Sequence, residues 1–494
     1  MSVIVNRVRG GFYLDSVALM RLSSQLAAMQ DVVEAVLMIG TPNNKRIMAD
    51  AGLLNEDGQA AGANDLVVAL RAVDRRAADL ALEAAWRRLD GQALPGSVTG
   101  RRSAGSLHTA LRELPDANLA LVSTPGEYAA REAAAALAQG LNVMIFSDNV
   151  PLDAEIALKR KAQERGLIVM GPDCGTALIA GQPLAFCNVV PRGDIGVVAA
   201  SGTGLQEVIS LIARNGAGVS HGIGVGGRDL HDAVGGISTL TALEMLADDP
   251  QTRHVVLISK PPGPQTAERV YTRLAEIGKP ATVCTLGLET APLPAPLQVA
   301  HTLQATVETC LGLKPASVPP PVARQRDTGR TNAHAWFSGG TLCSEALTIF
   351  HRAGLNVASN VAVDAEPPSG NSPTHRFIDL GADEYTLGRP HPMIDPLVRN
   401  VHVQESLRDP TVAVVLLDVV LGFGAHRDPA AALLEAITAV PAEHRPTIIA
   451  SVCGTDADPQ NRSAQVSSLT RHGVAVAGSN AEAAQWALHI VRGE

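Results

Sequence analysis

Aromatic side chains are scarce: three Trp, four Tyr and seven Phe make up only 3% of the 494 residues. So few flat rings exclude a stacking platform for bases or sugars. Positive charge is not in excess either. Forty Lys and Arg stand against 49 Asp and Glu, a formal net charge of −9, which excludes the basic footprint that nucleic acid or anionic lipid requires. The six cysteines, Cys174, Cys187, Cys284, Cys310, Cys343 and Cys453, have no CxxC spacing. Neither a metal site nor a disulfide framework is expected, and a reducing cytoplasmic location fits. No apolar run approaches the ~20 residues of a membrane span, and the first residues lack the charged-then-apolar pattern of a leader. What remains is an ordinary globular composition, 46% hydrophobic and 18% charged, on a chain too long for one core.

Against these absences stands one arrangement, present twice. Gly193–Gly216 reads as an apolar strand, the turn Ser201-Gly202-Thr203-Gly204 and an amphipathic helix. Ala335–Gly354 repeats it through Ser338-Gly339-Gly340-Thr341. Thr203 precedes Glu207 by four residues, as Thr341 precedes Glu345, and each Glu is followed nine residues later by glycine. Asp249-Pro250 and Asp409-Pro410 each precede a further strand. One duplication explains all of these matches. A strand-to-helix glycine turn aims free N–H groups and a positive dipole end at one point, which suits phosphate or carboxylate. The bland alternative for either turn is an ordinary βα connection.

The spacing of elements gives five segments: a small α+β domain at 1–95, a βα segment with a parallel sheet at 96–190, two copies of one α/β unit at 191–312 and 333–494, and a Pro-rich linker at 313–332. In the first segment the loop Met38–Arg46, with Thr41, Asn43 and Lys45, reads as a capped turn more readily than as an anion site. Ligands of parallel sheets bind beyond the carboxyl ends of the strands. That rule selects the turn Gly171, Pro172, Asp173, Cys174, while the cluster Gly224, Gly226, Gly227, Arg228 has the glycines for close backbone approach either to a ligand or to the neighbouring turn. The rule also selects Lys260, at the end of a strand, for neutralising substrate charge. Arg389 and His391 lie in a stiff Pro-containing stretch and complete the catalytic candidates; His231, like His391, could act as acid or base.

These residues resemble the FdrA family, a relative of the succinyl-CoA synthetase α subunit in the acyl-CoA synthetase superfamily. GPDCGT (171–176), SGTGLQE (201–207) and GVGGRD (224–229) follow that subunit's order and spacing. GFYLDSVALMRLS (11–23), GRPHPMID (388–395) and SVCGTDADPQ (451–460) are similar to FdrA signatures. The resemblance implies an α/β chain in which the small α+β domain at 1–95 is followed by a Rossmann-like CoA-binding-type domain at 96–190 and two duplicated flavodoxin-like CoA-ligase-type domains at 191–312 and 333–494.

Departures from the synthetase shape the expected activity. Thr285–Pro296 contains no histidine where the synthetase carries its phosphohistidine, Lys260 stands where a supporting glutamate is expected, and a GxTGxxG turn for CoA is missing. No ATP-grasp domain is visible. The resemblance then implies carbamoyl transfer between carbamoyl phosphate and an oxamate-like acid, needing no cofactor, with CoA a possible further ligand and partner subunits or a homo-oligomer expected. An acyl-CoA synthetase component and a non-catalytic scaffold are the two rival expectations.

Overall fold

The computed structural model describes residues 2–493 except 13, 15, 93–103, 288–292, 316–328, 362–374 and 387–389. The chain divides into two compact units, Met1–Gly105 with Ala382–Asp395, and Ser106–Gly381 with Pro396–Glu494.

The first unit runs β1 (Val3–Arg9), α1 (Ser16–Ala27), β2 (Val32–Ile39), α2 (Pro42–Asp50), α3 (Glu56–Ala60), β3 (Leu66–Ala72) and α4 (Arg75–Gln92). The strands form an antiparallel sheet in the order β1-β3-β2. Central β3 alternates its residues between two cores. Val68 and Leu70 pack with Leu22 and Leu26 of α1 and Ala81 and Ala85 of α4, while Val67 and Ala69 meet Met48 and Leu53. The Thr41 hydroxyl caps α2 by accepting from the Asn44 N–H. Lys45 Nζ donates to the carbonyls of Gln59 and Ala61. The 38–46 loop is thus a capped turn whose lysine is spent on backbone carbonyls.

The second unit opens with α5 (Leu107–Glu113), β4 (Leu119–Val122), α6 (Gly126–Ala138), β5 (Asn142–Ile145), α7 (Leu152–Gln163) and β6 (Val169–Met170), with β4-β5-β6 parallel. A hairpin of β7 (Thr176–Ile179) and β8 (Gln182–Ala185) follows, turning at Ala180-Gly181, both with positive φ. This hairpin joins the next sheet through antiparallel pairing of β7.

The first repeat contains β9 (Ile195–Ala199), α8 (Gly202–Arg214), β10 (Val219–Gly224), α9 (Ile237–Asp248), β11 (His254–Ser259), α10 (Pro264–Glu276), β12 (Ala281–Thr285), β13 (Gln298–Ala300) and α11 (Leu303–Leu311). Its sheet order is β13-β12-β11-β9-β10-β7-β8. The second repeat contains β14 (Asn332–Phe337), α12 (Gly340–Arg352), β15 (Val357–Ser359), β16 (His375–Asp379), α13 (Asp383–Thr386), α14 (Leu397–Arg408), β17 (Val412–Val420), α15 (Pro429–Thr438), β18 (Thr447–Cys453), α16 (Arg462–Arg471), β19 (Ala475–Ala477) and α17 (Asn480–Arg492). Of these, α13 belongs to the first unit. The second sheet is parallel throughout, in the order β15-β16-β14-β17-β18-β19.

Uninterrupted apolar strands such as IGVVA of β9 are buried along their whole length, as sheets covered on both faces require. The SVCGTDADPQ stretch ties the second repeat to the segment before β9. Asp458 accepts from the Val189 N–H at 2.7 Å, Asn188 Nδ2 at 2.9 Å and the Thr455 N–H at 2.8 Å.

Candidate functional site

Strands β9 and β14 lie inside their sheets, and each releases its helix at the carboxyl edge. Ser201 is the N-cap of α8, its Oγ accepting from the Gly204 N–H at 2.9 Å. Gly339 occupies the same place before α12. The two helix starts meet. The hydroxyls of Ser201 and Thr341 are hydrogen-bonded, and a Cβ placed on Gly339 would fall 2.9 Å from Thr203 Oγ1. Glycine is therefore required there by the opposite turn. Among the described residues, the N–H groups of Gly202, Thr203, Gly340 and Thr341 find no acceptor. Two positive helix ends thus converge on one point, an arrangement that favours an anion.

The turns are not equivalent. The Ser338 N–H donates to both Asp418 oxygens at 2.8 and 3.0 Å, and the Gly339 N–H donates to Asp418 Oδ2 at 2.8 Å. Asp418 is 0% exposed and pairs at 3.3 Å with Arg399, whose Nη1 also donates to Ser338 Oγ and to the Asp418 carbonyl. Burial pushes the Asp418 carboxyl upward, opposed by Arg399 and the N–H donors. Sequence reasoning assigned Ser338 and Gly339 to anion binding. Their N–H groups are already taken by the chain's own carboxylate, which corrects that assignment for these two residues.

Asp379, at the end of β16, forms the flank of the second turn. Its Oδ2 lies 2.5 Å from where a Cβ on Gly340 would stand, and its Oδ1 accepts from the Gly381 N–H at 2.9 Å. Asn360 holds its backbone from both sides. Nothing in the sequence pattern distinguished Asp379 or Asp418 from other strand-end acids.

The GPDCGT and GVGGRD turns pack on one another. A Cβ on Gly226, which has φ +88, would lie 2.5 Å from the Pro172 carbonyl, and one on Gly224 2.4 Å from the Thr176 carbonyl. These glycines, with Gly171 at φ +101, serve contact between turns. Cys174 is 2% exposed, and its thiol donates to the carbonyls of Thr176 and Gly224. Burial pushes that thiol up to about 12, so Cys174 is a packing residue and not a ligand contact. Asp173 and Gly227 are exposed on these turns. Arg228 is engaged by Glu155 at 2.9 Å and the Val150 carbonyl at 2.8 Å.

Beneath that loop lies a network that periodicity did not reveal. Lys159 is 1% exposed and pairs with Glu155 at 2.8 Å and Asp229 at 2.7 Å. Asp229 in turn accepts from the N–H groups of Ser238 and Thr239 at the start of α9. On α7 the pair Glu155 and Lys159 has the i,i+4 spacing of an exposed salt bridge, which concealed its burial.

Lys260 follows β11 directly and is exposed. Burial raises the Cys343 thiol in the first turn of α12, and the Lys260 charge is among the effects that oppose it. Arg389 lies outside the described residues. His391 belongs to the first unit, whereas Lys260 and the turns belong to the second. Burial brings the His391 imidazole down to about 4, and its Nδ1 accepts from the Met393 N–H. It is thus neutral and occupied in a turn. His231 is exposed between the glycine cluster and α9.

Residues 336–490 match the CoA-ligase family, and residues 1–103 match a family described as AllF, heavy metal-associated domain. The Escherichia coli (strain K12) protein YahF is 39% identical over 494 residues, covering 96% of each chain. The chain belongs to the YahF family. Within this YahF-family chain, 191 residues are 26% identical to succinate–CoA ligase [ADP-forming] subunit alpha 2 of Archaeoglobus fulgidus, 38% of this chain and 64% of that subunit. A stretch of 194 residues is 29% identical to the ADP-forming sulfoacetate-CoA ligase subunit SauD of Bilophila wadsworthia, 37% of this chain and 65% of that subunit. The YahF-family chain thus carries an α/β fold, with CoA-ligase-like domains behind a heavy-metal-associated-type domain.

The description of that first domain implies a heavy metal. Such ions need thiolate or imidazole donors. Residues 1–103 contain no Cys and no His, and no group of three or more His, Cys, Asp or Glu among the described residues could hold a metal ion. The donor set does not fit, and no step is routed through a metal.

Proposed function

We propose that this chain is the carbamoyl-transferring subunit of an enzyme built on a CoA-ligase-like fold, using carbamoyl phosphate and an oxamate-like acid. The observation that carries this reading is the head-to-head meeting of α8 and α12, with unspent N–H groups at Gly202, Thr203, Gly340 and Thr341. Donors fixed in place before the reaction stabilise charge as it develops on a leaving phosphate. The acceptor's amide nitrogen bonds to the carbonyl carbon of carbamoyl phosphate. The bond from that carbon to the bridging oxygen breaks, inorganic phosphate leaves, and the nitrogen gives up one proton. With no histidine in 285–296, the phosphate belongs to the substrate throughout. Lys260, exposed at the strand end, suits the acceptor's carboxylate. The tight packing of the GPDCGT and GVGGRD turns and the missing GxTGxxG turn leave CoA without a role in this reaction.

Calorimetric titration of the full chain with inorganic phosphate, carbamoyl phosphate, oxamate and CoA tests the reading. Competing binding of the first two is expected, with Lys260→Ala weakening oxamate alone by about tenfold. The match of 336–490 to CoA-ligase favours a second reading, an acyl-CoA synthetase component that works with partner subunits. Stable phosphohistidine on the protein, or tight CoA binding without any response to carbamoyl phosphate, decides for that alternative.

A further inference from the structure

The duplication allows the two turns to be compared donor by donor. In the first repeat Ile258 of β11 stands beside Ala199, the end of β9. Its carbonyl accepts from the Ala200 N–H at 3.1 Å, and its side chain has nothing to offer the residues beyond. Among the described residues, the N–H groups of Ser201, Gly202 and Thr203 are left without an acceptor, while that of Gly204 is closed by Ser201 Oγ. In the second repeat the pairing of Trp336 with Leu417 puts Asp418 where the first has Ile258. The Asp418 carboxylate takes the N–H groups of Ser338 and Gly339, which correspond to Ala200 and Ser201. Gly339 has no side chain with which to cap α12, so the donors left over lie further in, at Gly340, Thr341 and Leu342.

The two sets differ in their surroundings. Ser201, Gly202 and Thr203 are all partly exposed, whereas Thr341 is 4% and Leu342 0% exposed. A backbone N–H inside the fold is almost always paired, so buried donors without an acceptor mark a place kept for a ligand atom. The outer donors of that turn already hold a carboxylate, and a second full anion there would lie against a group of like charge. A single polarised oxygen suits the inner donors better. The two sets are also close together. Ser201 and Thr341 are joined through their hydroxyls, and Thr203 Oγ1 lies 2.9 Å from where a Cβ on Gly339 would stand. One small molecule can therefore touch both.

We infer that the two turns divide the substrate between them. The N–H groups of Ser201, Gly202 and Thr203 hold the phosphate, and those of Gly340, Thr341 and Leu342 form the oxyanion hole for the carbonyl oxygen of the carbamoyl group. This rests on the carbamoyl phosphate reading above and adds to it the orientation of the substrate. As the acceptor's nitrogen bonds to the carbonyl carbon, the π pair moves onto that oxygen, and its charge is met by the donors of the second turn. The pair then returns, the bond from carbon to the bridging oxygen breaks, and phosphate leaves from the partly exposed first turn with the proton that the nitrogen gives up.

The experiment is calorimetric titration of the full chain with inorganic phosphate and with phosphonoacetamide, a stable probe that carries the amide carbonyl on a carbon link in place of the bridging oxygen. Wild type is expected to bind phosphonoacetamide at least about tenfold more tightly than phosphate. Proline is accepted in the first turn of a helix and removes one N–H. Thr203→Pro and Thr341→Pro each delete one donor, and Thr203→Ala and Thr341→Ala are the references that keep it. Against its reference, Thr203→Pro should weaken both ligands about tenfold and leave their ratio unchanged. Thr341→Pro should bind phosphate as its reference does, which also reports that it is folded, and should lose most of the preference for phosphonoacetamide. A wild-type ratio of one or below, with phosphate still bound, overturns the inference and leaves the proposed function standing. So does a preference retained in Thr341→Pro, or phosphate binding that is untouched in Thr203→Pro or lost equally in both. Where Thr341→Pro does not fold, the wild-type ratio decides alone. If wild type binds no phosphate at all, the proposed function fails and the inference falls with it.

Discussion

The backbone N–H of Asn480, which opens α17 in the second repeat, donates to the Glu207 carboxylate of the first repeat at 3.1 Å. The mirror contact is also made: the N–H of Leu303, which opens α11 in the first repeat, donates to Glu345 of the second at 2.6 Å. Each repeat thus supplies the acid that closes the last helix of the other, where the positive dipole end favours it. Asn480 joins the two contacts by donating through Nδ2 to Glu345 at 2.7 Å.

Glu345 makes stability depend on pH. Burial pushes its carboxyl up to about 7 from 4.5, opposed by the Asn480 and Leu303 donors and reinforced by Glu207. Between those values the folded state binds more protons than the unfolded chain, so stability falls as pH rises through that window. Glu345→Gln keeps an acceptor and removes the titration. Urea unfolding at pH 5 and pH 8 should show a smaller loss for the variant than for wild type, and equal losses would refute the assignment.

Lys159→Met leaves Glu155 and Asp229 buried without their shared cation. A cost of about 3–5 kcal/mol is expected from denaturant unfolding. Adding Glu155→Gln and Asp229→Asn should restore part of it. No recovery in the triple variant would mean that the lysine acts through packing alone.

Gly204→Ala tests the contact between helix starts. The new Cβ would meet Ser201 Oγ at 2.8 Å and Thr341 Cγ2 at 3.1 Å, which forces the turns apart at about 1–3 kcal/mol. Carbamoyl phosphate affinity should fall at least about tenfold if both helix ends grip one substrate. Gly105→Ala, with nothing within 4 Å, is the control and should change neither stability nor binding.

Cys174→Ala should leave ligand binding unchanged, and iodoacetamide at pH 8 should not label Cys174 in the native protein. A buried thiol held near 12 offers almost no thiolate. Rapid labelling at that position, read by mass spectrometry, would show a reactive thiol and overturn its assignment as a packing residue.

The duplicated strand–turn–helix was legible because its signal is local: an apolar run, glycines, then helical periodicity. The helices begin at Gly202 and Gly340, inside the glycine turns read from the sequence. The occupants of those turns were not legible. Asp418 lies 80 residues from Ser338, and only the pairing of β17 beside β14 brings them together. The equal spacing of Glu207 and Glu345 from their threonines was visible, but their partners lie 273 and 42 residues away. Gly224 and Gly226 were read as able to approach either a ligand or a neighbouring turn, and the short distances to Thr176 and Pro172 decide for the turn. His391 looked available because prolines flank it; the half-buried setting that lowers its imidazole comes from tertiary packing.

The exchanged acids also bear on how the chain can be divided. A break between 313 and 331 would cut the backbone but not the relation between the halves. Either half alone would lose the acid at the start of its last helix and the backbone donor to its own glutamate. It would keep only the helix N-cap, Thr302 or Ser479, and, for Glu345, the Asn480 Nδ2 donor. Fragments ending and beginning there should behave as complementing pieces of one protein, each unfinished until it finds the other.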